Sequence, residues 1–279
     1  MRVHDRLTGA FLLLLAAGCA STGPAVAQHA LPPDADAALE RLNTSPRHAE
    51  WDYVRTGQGD SVRVYVVYPE TSEPAPVVLV VHEIYGLTNW IRGVADQLAA
   101  DGFIAIAPDL LTTKNVPADA AGEPDRQQAT QQIRTLDVSD VHRWLSAVAD
   151  WGMALPAATD SYGIVGYCWG GSTSFRHAVE SDRVDAAVVY YGSSPDTTLL
   201  ARIEAPVLGL YGGNDERVNA TIPAARQTLE ALGRTYEVHV FDGAGHGFLR
   251  QQGGQDGANM EATRQAWPLT LGFFREHLY

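Results

Sequence analysis

The chain has 279 residues, of which 46% are hydrophobic and 9% aromatic, and its formal net charge is −13. This composition predicts one packed globular domain and excludes a disordered or collagen-like chain. The acidic balance also argues against a nucleic-acid partner and against a polybasic surface on the protein that would bind a membrane, because both require clustered Lys and Arg.

The first residues have the pattern of an export signal. Two arginines precede an apolar run over 10–17, which is too short to span a membrane and is followed by small residues. Two processing sites compete: an A-x-A pattern at 25–27 would leave Gln28 as the mature N-terminus, and a lipobox-like segment would leave a lipidated Cys19. We therefore expect residues 1–27 to be a signal peptide. The protein is then periplasmic or secreted, and its one expected membrane contact is a lipid anchor at Cys19.

The remainder divides into a leader and one domain. Residues 28–50 are rich in Ala, Pro, Asp and Arg without a sustained apolar period, which predicts a mobile leader with one short helix near Ala37–Leu42. The domain is predicted over 51–279, and we see no internal repeat in it. We expect it to be a monomer.

Within the domain, short apolar runs alternate with helical patterns. The runs predict strands at Val62–Tyr68, Val77–His82, Phe103–Ala107, Tyr162–Tyr167, Ala186–Tyr191, Val207–Tyr211 and Glu237–Phe241. The amphipathic segments predict helices at Trp90–Ala100, Arg126–Asp150, Ser172–Val179, Pro223–Leu232 and Pro268–Leu278. Apart from the first strand, which could be an antiparallel edge, this alternation predicts an α/β fold: a mostly parallel sheet with helices on both faces.

The candidate nucleophile is Cys168, the one cysteine outside the signal segment. A lone thiol in an exported protein is either a small buried hydrophobe or a reactive group. Cys168 stands in Gly166-Tyr167-Cys168-Trp169-Gly170-Gly171, between a predicted strand and a predicted helix. This is the pattern of a nucleophile elbow, in which a tight turn presents the reactive side chain at the end of the sheet. The helix N-terminus is expected to lower the pKa of the thiol.

A nucleophile elbow requires an acid and then a base after later strands. Asp215 follows the strand at 207–211 through a glycine-rich loop, and His246 follows the strand at 237–241. Asp242 is too near His246 in sequence to approach its ring readily, and the other rival acids do not follow a strand as cleanly: Asp182, Asp185 and Asp196. We therefore predict that Asp215 orients His246, which exchanges protons with the thiol.

The loop after the second predicted strand reads His82-Glu83-Ile84-Tyr85-Gly86. In an elbow hydrolase this loop supplies one N–H group of the oxyanion hole, and the residue after the nucleophile supplies the other. We assign these donors to Ile84 and Trp169. A zinc helix of the H-E-x-x-H type is excluded, because Gly86 stands where the second histidine would be needed. No metal or cofactor is expected.

Together these motifs resemble the dienelactone hydrolase family of α/β-hydrolases, and the resemblance covers Trp51 to Tyr279. It is carried by five segments in the family's order: His82–Leu87, Pro108–Leu110, Gly166–Gly171, Gly212–Asp215 and Gly245–Phe248. The resemblance implies an α/β-hydrolase fold and a Cys168–His246–Asp215 triad. It also implies a carboxylic ester hydrolase (carboxymethylenebutenolidase-like) that acts on small lactones through a covalent thioester.

The resemblance also gives roles to residues that the pattern alone leaves open. Glu83 matches a carboxylate that hydrogen-bonds the cysteine and accepts its proton when substrate enters, and Arg250 matches the arginine that holds the substrate carboxylate. Tyr85 is expected to shape the substrate pocket. Without the resemblance, Glu83 would be interpreted as a solvated loop acid and Arg250 as a solvent-facing side chain.

One departure from the family concerns the substrate. The family's lactonases carry a second arginine after the Asp-Leu-Tyr segment, whereas this chain has Lys114 in that loop, which lacks the bidentate fork. This argues against an anionic dienelactone, as does the export signal, because chloroaromatic breakdown is a cytoplasmic pathway. The expected partner is a small ester or lactone. Two alternatives stay open: acyl transfer from the same intermediate, and a non-catalytic exported binding protein with a hydrolase fold.

Overall fold

The computed structural model describes Met1 and residues 30–279. The predicted signal peptide and both of its processing sites, at Cys19 and Gln28, lie outside the described residues.

The core of the molecule is one eight-stranded sheet with the order β1-β2-β4-β3-β5-β6-β7-β8. β1 pairs antiparallel with β2 and β2 antiparallel with β4, whereas the remaining neighbours are parallel. The strands are β1 Ala49–Arg55, β2 Ser61–Val67, β3 Ala75–Val81, β4 Ile104–Asp109, β5 Ala158–Tyr167, β6 Ala186–Tyr190, β7 Val207–Gly212 and β8 Tyr236–Phe241.

Helices cover both faces of this sheet, as the sequence predicted. They are α1 Ala38–Thr44, α2 Asn89–Ala100, α3 Arg126–Ile133, α4 Val138–Met153, α5 Trp169–Glu180, α6 Glu216–Asn219, α7 Ile222–Ala231 and α8 Ala258–Leu278. Side chains of α2 and α8 form the core on one face, and those of α4, α5 and α7 form it on the other. Every residue of β3 and β6 is buried, which explains why these strands are apolar without alternation. The predicted α/β class is confirmed.

Three elements differ clearly from the prediction. One is α8, which begins at Ala258 and not at Pro268. β1 was not predicted, because Val54 is its one buried residue and its sequence therefore carries little apolar pattern. It is nevertheless a strand, since it pairs with β2 along its whole length. The helix predicted over Arg126–Asp150 is two helices, α3 and α4. The second begins at Val138 and is capped by Asp137, whose side chain accepts hydrogen bonds from the N–H groups of Ser139 and Asp140.

The segment predicted as a mobile leader, 28–50, packs against the domain from residue 31 onward. Ala38 of α1 is fully buried against α2. Asp96 on α2 is 2% exposed and pairs with Arg41 at 2.5 Å and with Arg47 at 2.8 Å. Arg41 and Arg47, which contributed to the prediction of a mobile leader, are therefore the counterions of one buried carboxylate. The sequence of the leader alone does not reveal this partner.

Candidate active site

The predicted catalytic residues follow different strands of the parallel part of the sheet. Glu83 comes two residues after β3, Cys168 directly after β5, and Asp215 and His246 a few residues after β7 and β8. Because the carboxyl ends of parallel strands lie along one edge of a sheet, the fold places the four residues along the same edge.

Cys168 lies in a strained turn between β5 and α5. Its φ is 57° and its ψ is −115°, a conformation that non-glycine residues rarely adopt. The flanking glycines are required sterically: a Cβ at Gly166 would lie 1.9 Å from the carbonyl oxygen of Gly170, and a Cβ at Gly170 would lie 2.3 Å from that of Val81. The geometry is that of a nucleophile elbow.

The Cys168 thiol lies in a mostly buried environment. Burial, and in second place the negative charge of Glu83, raise its pKa to about 11. The backbone N–H groups of Trp169 and Ile84 act in the opposite direction, because they favour the thiolate. The expected lowering by the helix N-terminus is thus outweighed by desolvation. The resting thiol is protonated at neutral pH.

The same two N–H groups are the oxyanion-hole donors that the sequence assigned to Ile84 and Trp169. Because both N–H groups favour negative charge at the sulfur, they are placed to act on an oxyanion that forms on a carbon bonded to it. Donors fixed in advance in this way stabilise the negative charge that develops in acyl transfer. The structure therefore brings nucleophile and donors together.

His82 supports this loop and carries no free ring nitrogen. Its ring is fully buried and stacks on Trp169 with a centroid distance of 5.7 Å. A proton on Nδ1 satisfies both of its contacts: Nδ1 donates to the Glu83 carbonyl oxygen at 2.7 Å, and Nε2 accepts from the Leu110 N–H at 3.2 Å. Burial lowers its pKa, so the ring is neutral. His82 therefore positions the residues on either side of it.

His246 and Asp215 form the pair predicted from their order in the chain. Nδ1 of His246 lies 2.5 Å from Oδ2 of Asp215, and Asp215 is 7% exposed. A buried carboxylate on Nδ1 holds the ring in one orientation and leaves Nε2 for proton exchange. The ring of Tyr191 packs against that of His246 at 5.1 Å between centroids.

Tyr191 is a site residue that sequence reasoning missed. It was predicted as the last residue of a strand, but it lies directly after β6 with a φ of 40°. Its hydroxyl and that of Tyr167 are buried without a hydrogen-bond partner among the residues that the structure describes. Burial raises the pKa of both phenols, and the charge of Glu83 contributes in each case. The sequence signal that could have identified Tyr191 as a site residue is its position directly after a strand of the parallel sheet.

Glu83 is neither solvated nor free, in contrast to the interpretation from pattern alone. It is 2% exposed, and its Oε2 lies 2.7 Å from Nε of Arg250. Burial raises the pKa of Glu83 to about 7, although the charge of Arg250 opposes this shift. A carboxyl group with this pKa can exchange a proton at neutral pH.

The predicted binding residues and the nucleophile line two different cavities. A cavity of about 220 Å³ contains Cys168 and is lined by Ile84, Cys168, Trp169, Ser172, Tyr191, Ser193 and Arg217. Tyr85 and Arg250 instead line a neighbouring cleft of about 630 Å³, together with Arg126. Lys114 lines neither one. Tyr85 and Arg250 are therefore near Glu83 but are not walls of the Cys168 cavity.

Arg217 is the second residue that sequence reasoning missed. It lies on α6, immediately beyond Asp215, and its charge acts on Cys168, lowering the pKa of the thiol. Its guanidinium makes no hydrogen bond or ion pair with any residue of the described chain. Among the described residues, the wall of the Cys168 cavity therefore has Arg217 as an unpaired cation.

Within residues 30–279, no group of three His, Cys, Asp or Glu side chains could hold a metal ion. The same part of the chain contains no helix that is long and apolar enough to cross a membrane.

The chain is similar to known proteins of one family. The model of the dienelactone hydrolase family matches residues 62–278. A Salmonella typhimurium protein named "Putative carboxymethylenebutenolidase" is 32% identical, with 79% of this chain and 84% of that protein covered. The Pseudomonas putida carboxymethylenebutenolidase is 31% identical, with 63% and 76% covered.

A crystal structure described as a "Putative Dienelactone Hydrolase" from Klebsiella pneumoniae superimposes with a TM-score of 0.72 at 28% identity. The match covers 82% of this chain and 98% of that one. The α/β-hydrolase fold and the family resemblance are thus both confirmed. The chain belongs to the dienelactone hydrolase family and is a hydrolase of that family.

Proposed function

We propose that the protein hydrolyses small esters or lactones through a thioester on Cys168, with His246 and Asp215 completing the triad. The observation that carries the proposal is the position of the sulfur: it lies at a strained elbow, where the backbone N–H groups of Ile84 and Trp169 favour the thiolate. This arrangement suits a nucleophile whose product is a tetrahedral oxyanion.

In the first half of the reaction, the thiol proton passes to Glu83 as substrate enters. The thiolate adds to the carbonyl carbon, and the resulting oxyanion is stabilised by the two N–H groups. Collapse breaks the ester C–O bond, forms the thioester and releases an alkoxide, which takes up the proton held by Glu83. The pKa of about 7 of Glu83 supports this exchange, because the group can both accept and return a proton at neutral pH.

In the second half, Nε2 of His246 removes a proton from water, and the hydroxide adds to the thioester carbonyl. The C–S bond breaks, the acid leaves, and the imidazolium of His246 returns its proton to the sulfur. Asp215 stabilises the imidazolium that forms, since its carboxylate lies 2.5 Å from Nδ1.

The test is a burst experiment with p-nitrophenyl acetate. The wild type should release nitrophenol in a burst, and intact-mass spectrometry should find an acetyl group on Cys168. Cys168→Ala should abolish both while moving the thermal midpoint by only a few degrees, because one partly buried thiol contributes little packing. Cys168→Ser should retain only a small residue of activity.

A Ser193→Ala variant is the matched control, because Ser193 lines the same cavity but holds no nucleophilic position. Turnover that survives in Cys168→Ala would remove the nucleophile assignment. If added alcohol diverts the acetyl group in preference to water, the reaction is acyl transfer and not hydrolysis.

We further propose that the mature protein is exported and monomeric, and that membrane contact is limited to a lipid on Cys19 if that processing site is used. The apolar run over 10–17 and its flanking residues support export.

A further inference from the structure

A second cavity opens beside the catalytic one. Its volume is about 270 Å³, and it shares Trp169, Ser172 and Ser193 with the cavity that contains Cys168. The two spaces are therefore adjacent, and neither shares a wall residue with the cleft that contains Arg250.

The outer wall of this second cavity is apolar. It is formed by side chains from the end of α3, the connection that follows and the start of α4: Ile133, Leu136, Val138 and Val141. Ile133 and Val141 are almost fully buried, whereas Val138 at the rim is 56% exposed. The indole of Trp169 forms the boundary with Cys168.

The cavity has no free charge at neutral pH. Arg176, its one cationic side chain, is held by Glu180 at 2.5 Å. His142 is also a wall residue, but burial lowers its pKa to about 4, and its Nδ1 lies 3.3 Å from that of His177. The catalytic cavity differs in this respect, because it contains the unpaired Arg217. An uncharged group would therefore lose less solvation energy in the second cavity than an ion would.

We propose that the second cavity is a subsite for an uncharged apolar group of the substrate, such as an alkyl chain or a ring, while the ester carbonyl lies at Cys168. This proposal rests on the proposed function and narrows its substrate class to esters that carry such a group on one side of the carbonyl. The three shared wall residues give the group a direct path from one cavity to the other.

The first experiment compares two ester series on the full-length mature enzyme. One series lengthens the acyl chain of p-nitrophenyl esters from acetate to octanoate. The other lengthens the alcohol chain of alkyl acetates, and its hydrolysis is measured by the release of protons. In one of the series, kcat/KM should rise roughly fourfold for each methylene that becomes buried, until the cavity is full. The series that rises identifies which side of the ester enters the subsite.

The second experiment places a charge at the rim. The measured quantity is a ratio within the series that rises: kcat/KM for the substrate with a six-carbon chain divided by kcat/KM for the shortest substrate. Val138→Glu should lower this ratio by at least fivefold. The helix start at Val138 tolerates an acidic residue, so folding should be preserved. Val240→Glu is the matched control: Val240 is 48% exposed on β8, lines neither cavity, and should leave the ratio unchanged.

Flat chain-length profiles in both series, or an unchanged ratio in Val138→Glu, would overturn the subsite. These outcomes are separable from failure of the proposed function itself. If no thioester forms on Cys168 with p-nitrophenyl acetate, the catalytic assignment fails. If the thioester forms and the chain-length profile is flat, only the subsite fails.

Discussion

Glu83 and Arg250 form a buried ion pair, with Oε2 and Nε 2.7 Å apart. The family resemblance assigns these two side chains separate tasks, one toward the thiol proton and one toward a substrate carboxylate. In the structure each is the other's partner, and Arg250 keeps only 13% of its side chain exposed. An anionic substrate could reach Arg250 only by competing with Glu83, so the state of the base and the binding of an anion are coupled.

Removing Arg250 should therefore change the pH dependence of the reaction. Arg250→Ala leaves Glu83 buried without its cation, so the pKa of Glu83 should rise further above about 7. A base must be deprotonated to act, so the midpoint of the kcat/KM profile should move to higher pH. If the shift is about one pH unit, activity at pH 7 falls roughly fivefold.

Arg250→Lys keeps a cation and should shift the profile less. Arg264→Ala is the control, because Arg264 is an exposed arginine that lines neither the Cys168 cavity nor the cleft of Arg250 and lies 4.0 Å from Glu261. An unchanged profile in Arg250→Ala would mean that Glu83 does not limit the rate as a base.

Processing of the N-terminus is a separate prediction. Mass spectrometry of the protein isolated from its native host should find an N-terminus at Gln28, or a diacylglyceryl group on Cys19. Because residue 31 onward packs against the domain, either cut leaves the folded part intact. An intact Met1 would contradict the export signal.

Arg217 should discriminate between charged and neutral esters. It is the unpaired cation of the Cys168 cavity, so Arg217→Ala should reduce kcat/KM for methyl hydrogen succinate relative to methyl butyrate. The expected change is about two- to fivefold, since the side chain is exposed and the charge pair is screened by solvent. Added salt should reduce the same ratio in the wild type.

The control for this prediction is Arg226→Ala, which removes the same charge from α7, outside the cavity. An equal loss in both variants would indicate a general field effect in place of a contact with the substrate.

The sequence identified the residues with distinctive local patterns. Cys168 was recognisable because glycines and a strand–helix change surround it, and Asp215 and His246 because each follows an apolar strand through a glycine-containing loop. These signals are local in the chain and survive without knowledge of the packing. The same reasoning gave seven of the eight strands, and it missed β1 because that strand buries only Val54.

Features that arise from long-range packing were not predictable. The high pKa of Cys168 results from burial, which outweighs the helix N-terminus that the sequence does show. Tyr191, which follows β6, and Arg217, on α6, are distant in sequence from Cys168 and share a cavity with it only in the folded chain. Likewise, Arg41 and Arg47 had no visible partner until α2 brought Asp96 to them.

The sharpest prediction concerns Glu83→Gln, which should move two measurements in opposite directions. With a thiol pKa of about 11, about one Cys168 in 10⁴ is ionised at pH 7, so iodoacetamide should react slowly with the wild type and about tenfold faster for each pH unit gained. The charge of Glu83 raises this pKa, so Glu83→Gln should increase the alkylation rate. Turnover should nevertheless fall by roughly 10²- to 10⁴-fold, because the acceptor of the thiol proton is lost. Glu230→Gln makes the same substitution at an exposed position on α7 and should change neither rate.

His246→Asn should also reduce turnover strongly. If Glu83→Gln keeps near-normal turnover while His246→Asn is inactive, then His246 alone activates Cys168, and the buried carboxylate serves only to hold Arg250.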